Sequence, residues 1–429
     1  MIYRADTIVA LSSGRPPAAI AIIRTSGPAA FHAVLALTRR LPPPRRATLL
    51  TLRDPKTGDT IDDALVLAFP APNSATGEDI VEYQCHGGRA VVQRLLDVLA
   101  AQPGFRLAEP GEFTRRGLLG GRIDLTEAEG LADLLAAETE VQRKAALHIA
   151  EGGLRKQVEQ WRGTIISFSA QAEAAIDYVD DEDETAIDSA RLAREAFELA
   201  ETIERLLESP RAEPLKEGIR VVLSGPPNAG KSSLLNALVG SDRAIVTDIP
   251  GTTRDSIEVP VTMAGIPFIL IDTAGIRESD DVVERMGVAR AEQESIGADI
   301  LLWLGDINEK TVHRRLVHVQ TKSDLNTSEA SADALSLSSV TGEGVDRLWK
   351  TIISLASDFV PQENQAALNR RQADALASAV TSLKMASATD ILLTAHGLRV
   401  AQDALDRLSG RTGMEDMLDA LFGRFCLGK

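Results

Sequence analysis

The spacing of apolar and polar residues changes along the chain and predicts different structures in different segments. The N-terminal part has short β-branched runs, such as 20–23 and 64–69, between turns rich in proline and glycine, which is typical of an α+β domain. In 126–176 and 371–408, apolar side chains recur every three or four positions among strong helix formers, which predicts helices. The residues TEAE at 126–129 predict a capping box that opens the first of these helices.

The placement of proline supports this division. Eleven of the 19 prolines lie before residue 111, and the others lie between 210 and 361, so 111–209 and 362–429 contain none. Proline disrupts helix interiors, and its absence over such lengths permits long helices. We therefore interpret the two proline-free stretches as halves of one helical domain whose chain is interrupted by an inserted domain.

The inserted segment alternates apolar strands with helical patterns, including a predicted helix at 232–239. The predicted strands are 219–223, 257–263, 266–271, 300–304, 316–320 and 334–337. Ala264 and Gly265 are expected to form a hairpin turn between the second and third of these strands. The alternation predicts a mostly parallel sheet covered by helices, with 305–316 short for a full crossover helix.

Composition places few further limits on the class of protein. With 429 residues, 44% hydrophobic and 25% charged, the chain is expected to be a soluble protein of two or three domains. It has no apolar run of 18 residues and no secretion signal, so neither a membrane span nor export is expected. Two cysteines, Cys85 and Cys426, exclude a disulfide framework and fit a reducing cytoplasm. The net charge of -16 argues against a uniformly basic nucleic-acid-binding surface but not against a local basic patch.

The strongest motif is GPPNAGKS at 225–232, which follows a predicted strand and precedes a predicted helix. This is the context of a P-loop, in which glycines let backbone N–H groups wrap phosphates at a helix N-terminus. Lys231 is expected to reach the β- and γ-phosphates, and the Ser232 hydroxyl is expected to bind Mg²⁺.

Two further motifs fit the switch loops of a Ras-like GTPase. In GTTRD at 251–255, Thr253 would place a second hydroxyl on Mg²⁺. In DTAG at 272–275, Asp272 can hold the metal through water, and the Gly275 amide can sense the γ-phosphate. Position 276 holds Ile rather than the water-orienting Gln of Ras-type enzymes, so another group must position the nucleophile.

Two more motifs are expected to form the base pocket. In TKSD at 321–324, the Asp324 carboxylate can accept two hydrogen bonds from guanine, which adenine cannot offer, and this favours GTP over ATP. SSV at 338–340 would complete the pocket. Both motifs depart from the usual pattern, because Thr321 replaces Asn and SSV replaces Ser-Ala-Lys. The predicted GTP-binding residues are Asn228, Ala229, Gly230, Lys231, Ser232, Ser233, Thr247, Thr252, Thr253, Asp272, Thr273, Ala274, Gly275, Lys322, Asp324, Ser338 and Ser339.

The chain resembles the bacterial tRNA-modification GTPase family MnmE, also called TrmE, over essentially its whole length. Besides the GTPase motifs, the resemblance rests on these sequences: DTIVA at 6–10, RTSG at 24–27, PNSATGED at 72–79, HGG at 86–88, PGEFT at 110–114 and CLGK at 426–429. Leu427 is a mild departure, because the family usually has Ile there.

This resemblance implies a domain organisation and a function. It implies a tetrahydrofolate-binding and dimerisation domain at 1–118, a helical domain at 119–215 and 358–429, and an inserted Ras-like P-loop GTPase domain at 216–357. The family hydrolyses GTP and works as a homodimer with the flavoprotein MnmG. Together they install a carboxymethylaminomethyl-type group at carbon 5 of the wobble uridine of certain tRNAs. A 5-formyl- or 5,10-methylene-type tetrahydrofolate derivative supplies the one-carbon unit.

The resemblance also implies roles for individual residues. Glu284 matches the catalytic glutamate that positions water, and the potassium-site residues are Asn228, Thr247, Ile249 and Thr252. The folate-binding residues are Arg24, Glu82, Arg122 and Lys429, with Arg122 standing where the family often has Lys. Cys426 is either a thiol nucleophile near the one-carbon donor or a small apolar residue that packs the C-terminal tail.

The GTPase motifs by themselves leave a second function open. A regulatory GTPase switch that binds rRNA or ribosome assembly intermediates would carry the same motifs. The GED and HGG sequences of the N-terminal part and the terminal CLGK favour the modification enzyme, as does the lack of an appended basic domain in the sequence.

Overall fold

The N-terminal part of the chain forms a six-stranded sheet with two helices packed on one of its faces. The computed structural model describes residues 6–177, 188–241, 244–246, 257–273, 297–305, 313–325, 334–362, 365–412, 418, 421–423, 425 and 428. The chain divides into two units, Met1–Ala132 with Asp406–Lys429, and Asp133–Leu405.

The elements of the first unit are strands with helices between some of them. In chain order they are β1 Thr7–Leu11, β2 Ile20–Ser26, α1 Ala30–Thr38, β3 Thr48–Arg53, β4 Thr60–Phe69, β5 Ile80–His86, α2 Arg89–Ala100, β6 Phe105–Leu107, α3 Glu112–Leu119 and, ending in the second unit, α4 Leu125–Ala136. The strand order is β3-β4-β5-β2-β1-β6, and all neighbours are antiparallel except β1 and β6. This confirms the predicted α+β domain.

Alternation along the strands gives this sheet two different faces. Ile23 of β2 and Tyr83 of β5 are fully buried in the core cluster that also contains residues of α1 and α2. Their neighbours Arg24 and Glu82 therefore lie on the opposite face, where the two residues are register partners. Cys85 is buried on the core side, and burial raises the pKa of its thiol to about 11.

A cluster of charged side chains joins Asp6, just before β1, to residue 78 and to residues 106–116. Arg106 Nε donates to Asp6 Oδ2 at 2.6 Å, and Arg106 Nη1 donates to Glu112 Oε2 at 2.7 Å. Arg116, whose side chain is 9% exposed, donates to Asp6 at 2.8 Å and to Glu78 at 3.1 Å. Burial by itself raises the pKa of the Glu112 carboxyl, but hydrogen bonds from Arg106 and from the Glu109 backbone outweigh it, so the pKa is lowered.

The C-terminal tail belongs to this unit and packs on its sheet and helices. Phe422 and Phe425 lie in one core cluster with Leu125. Gly428 lies against the end of β1, where Ser12 Oγ donates to the Gly428 carbonyl at 2.8 Å. A Cβ atom on Gly428 would come within 2.1 Å of the Leu11 carbonyl oxygen, so only glycine fits at this position.

Helix α4 is capped two residues earlier than the sequence pattern predicted. Asp124 Oδ1 accepts the Glu127 N–H at 2.9 Å, and Glu127 Oε2 accepts the Asp124 N–H at 2.7 Å. The predicted box at 126–129 was therefore wrong. The reciprocal pair is formed by Asp124 and Glu127 instead, two residues earlier in the chain. Leu125 then becomes the first helical residue and lies in the buried cluster.

The second unit combines a helical part and a second sheet. Its helices are α5 Glu140–Ala150, α6 Gly153–Asp177, α7 Ser189–Leu207, α8 Ala212–Glu217, α9 Lys231–Val239, α10 Val345–Ala356, α11 Arg370–Leu383 and α12 Ile391–Ser409, with a 3₁₀ turn at Ser357–Phe359. Its strands are β7 Ile219–Ser224, β8 Ile245–Val246, β9 Ile257–Met263, β10 Ile266–Asp272, β11 Ile300–Leu304, β12 Leu316–Gln320 and β13 Leu335–Ser336.

The described residues of both proline-free stretches are largely helical, as predicted. The 126–176 pattern is not one helix but three, because Thr139 starts a new capping box and Gly152 adopts a φ of 79° between α5 and α6. Long helices α6 and α7 pack together, and α7 also packs on α11. The helices of both stretches thus contribute to one helical part, with the second sheet formed by the chain between them.

The second sheet has the order β13-β12-β11-β7-β10-β9-β8. Strands β7, β10, β11, β12 and β13 are parallel, and β9 joins β10 through the hairpin turn at Ala264 and Gly265, which have φ values of 52° and 78°. The predicted α/β architecture with its central parallel strands is confirmed. Residues 306–312, where a trimmed crossover was expected, lie outside the described residues.

The charged cluster gives a test of stability in the first unit. We expect Glu112→Gln to lower the free energy of unfolding by about 1–3 kcal/mol at neutral pH, because the buried Arg116 and the half-buried Arg106 lose a charged partner. Since the folded-state pKa of Glu112 is lowered from 4.5, its contribution is present above that value and is lost as pH falls through the lower folded pKa.

Urea unfolding of wild type and Glu112→Gln, at neutral pH and below the ordinary pKa of a glutamate, measures this contribution. The difference between the two proteins should shrink at acid pH. Glu109→Gln, a change at an exposed neighbour, is the matched control. If the difference in the free energy of unfolding stays constant with pH, the destabilisation comes from changed packing rather than from the lost charge.

Candidate functional site

The 225–232 loop leaves the carboxyl end of the central strand β7 and leads into α9. Gly225 has a φ of 145°, and a Cβ atom there would come within 2.1 Å of the Leu304 carbonyl oxygen. Gly230, with a φ of 92°, is the residue before the first turn of α9. Asn228 is also left-handed, with a φ of 63°. These conformations curl the loop around the helix N-terminus, as phosphate binding requires.

The Lys231 side chain reaches back from the end of the loop to its beginning. Its Nζ donates to the carbonyls of Gly225 at 2.8 Å and Pro226 at 2.9 Å, and the residue is 7% exposed. Burial lowers the pKa of the ammonium, and the charge of Asp272 opposes that shift. The cation therefore lies where it can reach a phosphate held by the loop.

Two residues that were predicted to hold Mg²⁺ lie within the described part of the chain, and they are in contact with each other. Ser232 Oγ donates to Asp272 Oδ2 at 2.5 Å, and Asp272 is fully buried at the end of β10. A hydroxyl beside a buried carboxylate is an all-oxygen donor set of the kind that Mg²⁺ takes. Ser233 is exposed on the same first turn of α9, whereas Thr273 uses its hydroxyl to donate to the Leu223 carbonyl at 2.9 Å.

The predicted base loop follows β12 and is tied to the phosphate loop by two side chains. Thr321 Oγ1 donates to the Ala229 carbonyl at 2.6 Å, and Lys322 Nζ donates to the Asn228 carbonyl at 3.0 Å. Lys322 has a φ of 62°, which turns the chain so that Asp324 is exposed beyond it. Sequence reasoning treated Thr321 only as a departure and missed this tie. The available signal was that Thr still supplies a hydrogen-bond donor directly after the strand.

The 338–340 loop is shaped by Ser338 itself. Its buried hydroxyl accepts the backbone N–H groups of Val340 and Thr341 at 3.3 and 3.2 Å. Ser339 follows in the loop, and the Val340 side chain is 84% exposed. The structure brings this loop beside the base loop, because the Ser323 N–H donates to the Leu337 carbonyl at 3.1 Å. The two predicted base-pocket segments thus adjoin.

Three of the four predicted folate-binding residues, Arg24, Glu82 and Arg122, are among the residues that the structure describes. Arg24 donates to Glu82 Oε1 from both Nε at 3.0 Å and Nη2 at 2.7 Å, on the face of the sheet away from the α1 and α2 core. The Arg24 guanidinium also lies 5.8 Å from the centroid of the Phe113 ring. Arg122 Nε donates to the Ser74 carbonyl at 3.2 Å, so it is joined to the loop that carries Glu78.

Several predicted site residues lie outside the described residues. They are Thr247, Ile249, Thr252, Thr253, Ala274, Gly275, Glu284, Cys426 and Lys429. Within the described part of the chain, no three His, Cys, Asp or Glu side chains group to hold a metal ion. The helices described here also include none that is long and apolar enough to cross a membrane.

The fold and the nucleotide site define a P-loop GTPase. Two family models match the chain: "GTP-binding protein TrmE N-terminus" over residues 7–122 and "MnmE helical domain" over 125–426. The chain belongs to the MnmE family of tRNA modification GTPases. The tRNA modification GTPase MnmE of Novosphingobium aromaticivorans is 49% identical over 99% of this chain and 100% of its own length. That of Zymomonas mobilis is 46% identical, again over 99% of this chain and 100% of its own length.

Solved GTPases match the chain in part. The G domain of the FeoB iron transporter of T. maritima is 26% identical over 32% of this chain and 98% of that one, with a TM-score of 0.24. Era of Aquifex aeolicus, bound to GDP and AlF4-, is 24% identical over 38% of this chain and 66% of its own, with a TM-score of 0.26. These scores are too low to add to the assignment.

The tie between the two loops gives a test of nucleotide binding. We expect Thr321→Val to weaken the binding of GTP and GDP alike by about 3- to 10-fold, because it removes one hydrogen bond and leaves the Ala229 carbonyl without it. Thr321→Ser keeps the hydroxyl and should bind nearly as wild type. Dissociation constants from a fluorescent nucleotide analogue measure this. Equal affinities of Thr321→Val and wild type would show that the tie does not position the loops.

Proposed function

We propose that this chain is a potassium-dependent GTPase that acts with the flavoprotein MnmG to install a carboxymethylaminomethyl-type group at carbon 5 of the wobble uridine of certain tRNAs. A tetrahydrofolate derivative of the 5-formyl or 5,10-methylene type is the proposed one-carbon donor. The observation that carries the proposal is the docking of the C-terminal tail, through Gly428, onto β1 of the N-terminal sheet. A regulatory switch that only cycles between nucleotide states has no evident use for this arrangement.

In the GTPase site, the chain's own groups bind and orient the nucleotide. Lys231 and the loop N–H groups neutralise and hold the phosphates, and Asp324 selects guanine. Ser232 and Asp272, with Thr253, would hold Mg²⁺, which neutralises charge on the phosphate oxygens. Their contact at 2.5 Å supports this assignment.

Potassium is proposed as the second cation of this site. Asn228 lies in the left-handed turn of the phosphate loop and would hold K⁺ together with Thr247, Ile249 and Thr252. A cation there would neutralise charge that an arginine supplies in other GTPases. Glu284 is proposed to orient the attacking water, the task that Ile276 cannot perform.

In the N-terminal unit, the Arg24–Glu82 pair fits a folate. Both hydrogen bonds from Arg24 go to Glu82 Oε1, which leaves Oε2 to accept from the N–H donors of a pterin ring. Arg122, with Lys429, would bind the carboxylates of the folate glutamate. Cys426, two residues before the docked Gly428, is either a nucleophile at the one-carbon unit or a packing residue.

A homodimer through the N-terminal unit is proposed as well. Leu49 and Leu65 are register partners on the open face of the sheet and are 68% and 42% exposed, and Ile20 is 61% exposed. Such apolar side chains on one sheet face support association with a second copy. The dimer would join MnmG in a heterotetramer-type complex in the cytoplasm and act on tRNA.

The proposed domain bounds are 1–118, 119–215 with 358–429, and 216–357. The ends of the two matching family models, near residues 122 and 125, support the first of these bounds. The match to a TrmE N-terminus also favours the modification enzyme over the regulatory switch.

The potassium proposal is tested by GTP hydrolysis in buffers that contain only K⁺ or only Na⁺. We expect strong stimulation by K⁺, and a loss of about 10²- to 10⁴-fold in kcat for Glu284→Ala, as for removal of a group that positions the nucleophile. Glu278→Ala, a nearby acidic residue without an assigned role, is the matched control. Hydrolysis that is indifferent to the cation and to Glu284 would contradict both assignments.

The folate proposal is tested by calorimetric binding of 5-formyltetrahydrofolate to the full chain. Arg24→Ala should weaken binding by about 10- to 100-fold, because Glu82 loses the partner that orients it. Arg94→Ala removes an arginine that is paired with Asp54 elsewhere in the same unit and should bind as wild type. Equal loss in both variants would indicate general destabilisation rather than a ligand site.

A further inference from the structure

Residues 7–53 differ in charge from the rest of the chain. They contain seven arginines and no aspartate or glutamate, although the whole chain has 62 acidic and 46 basic residues and a net charge of -16. Four of these arginines fall within residues 39–46, RRLPPPRR, which we name the arginine loop. The acidic excess of the protein lies entirely outside this segment.

The arginine loop differs in its partners from four other arginines of its unit. Arg24, Arg94, Arg106 and Arg116 each form an ion pair with a carboxylate. In the arginine loop all four arginines are exposed, and among the residues that the structure describes no carboxylate lies within 4.0 Å of any of their guanidinium groups. Their charge is therefore not compensated within the first unit.

The backbone of the loop is held in place. The Arg45 N–H donates to the Ala68 carbonyl at 2.9 Å, and the Arg46 N–H donates to the Pro43 carbonyl at 3.2 Å. Pro42 is buried, and the Arg45 guanidinium lies 5.6 Å from the centroid of the Phe69 ring. Arg45 also donates to the Asn73 carbonyl, so it serves as an anchor. A fixed backbone presents the remaining arginines at a small cost in conformational entropy.

We propose that the arginine loop is a phosphate-binding surface for tRNA, with Arg39, Arg40 and Arg46 as the contacting side chains. The proposal rests on the proposed function, which supplies tRNA as the substrate. Guanidinium groups bind phosphate oxygens in a bidentate manner, and they keep their charge at any physiological pH. An acidic protein repels RNA over most of its surface, so a cluster of uncompensated arginines on one loop favours the approach of the RNA backbone there.

This surface would position the tRNA rather than read its sequence. Contacts to phosphates fix orientation and carry no direct information on the bases. The loop therefore contributes affinity that depends on salt, and the choice of tRNA is made elsewhere.

The test measures tRNA binding by the full chain as a function of potassium chloride concentration. The variant is R39Q/R40Q/R46Q, which leaves the anchor Arg45 intact. The matched control is R205Q/R347Q/K350Q, which removes three charges from exposed positions on α7 and α10. Loss of three phosphate contacts should reduce the slope of log K against log salt by about 2 to 3, and should weaken binding about 10-fold or more at low salt. GTP hydrolysis of the loop variant should stay at the wild-type rate.

The outcomes separate this proposal from the function on which it rests. Wild type that binds no tRNA would contradict tRNA as a direct partner of this chain. Wild type that binds tRNA while both variants keep its affinity and slope would overturn the arginine-loop proposal alone. Equal weakening in the two variants would overturn it too, since the effect would then follow net charge. Binding to anionic phosphatidylglycerol vesicles is measured in parallel. If the loop variant binds tRNA as wild type does but loses binding to these vesicles, the loop is a lipid-binding surface instead.

Discussion

The nucleotide site depends on how the carbonyl groups of the phosphate loop are held. Each peptide unit points its carbonyl and its N–H in opposite directions, so a carbonyl held on the outside of a loop directs the next N–H inward. Here the carbonyls of Gly225 and Pro226 accept from Lys231, and those of Asn228 and Ala229 accept from Lys322 and Thr321. Two of these donors lie more than 90 residues further along the chain. The phosphate loop is thus shaped by the loop that we propose to bind the base.

The same dependence on distant segments governs the first unit. Its sheet carries the Arg24–Glu82 pair on one face and a core of Ile23 and Tyr83 on the other. The charged cluster around Arg116 then joins the start of β1 to the loop before β5, through Asp6 and Glu78. Arginines such as Arg106 and Arg116 thus hold the fold together, whereas Arg39, Arg40 and Arg46 are exposed and carry no ion pair within the described residues.

The fold followed from the sequence wherever one local pattern decided it. The spans of β9, β11 and β12 agree with the predicted bounds, because short runs that are apolar or alternate apolar and polar residues have few alternatives when other patterns bound them. The start of α4 was wrong because the capping pattern occurs at both 124 and 126, and the burial of Leu125 decides between them. The role of Thr321 could not be predicted, since its acceptor is a carbonyl 92 residues away that no local pattern reveals. The assignments of Glu284 and the potassium ligands stay predictions.

The docking of the C-terminal tail has a consequence for the order of folding during synthesis. Ser12 and the Gly428 carbonyl that it contacts are 416 residues apart. At the rate of bacterial and eukaryotic ribosomes, roughly 5 to 20 residues per second, the strand that ends at Leu11 waits on the order of 20 to 80 seconds for the segment that covers it. The GTPase domain is made in that interval. Of the two sheets, the one that is made first is therefore completed only after the other has been made.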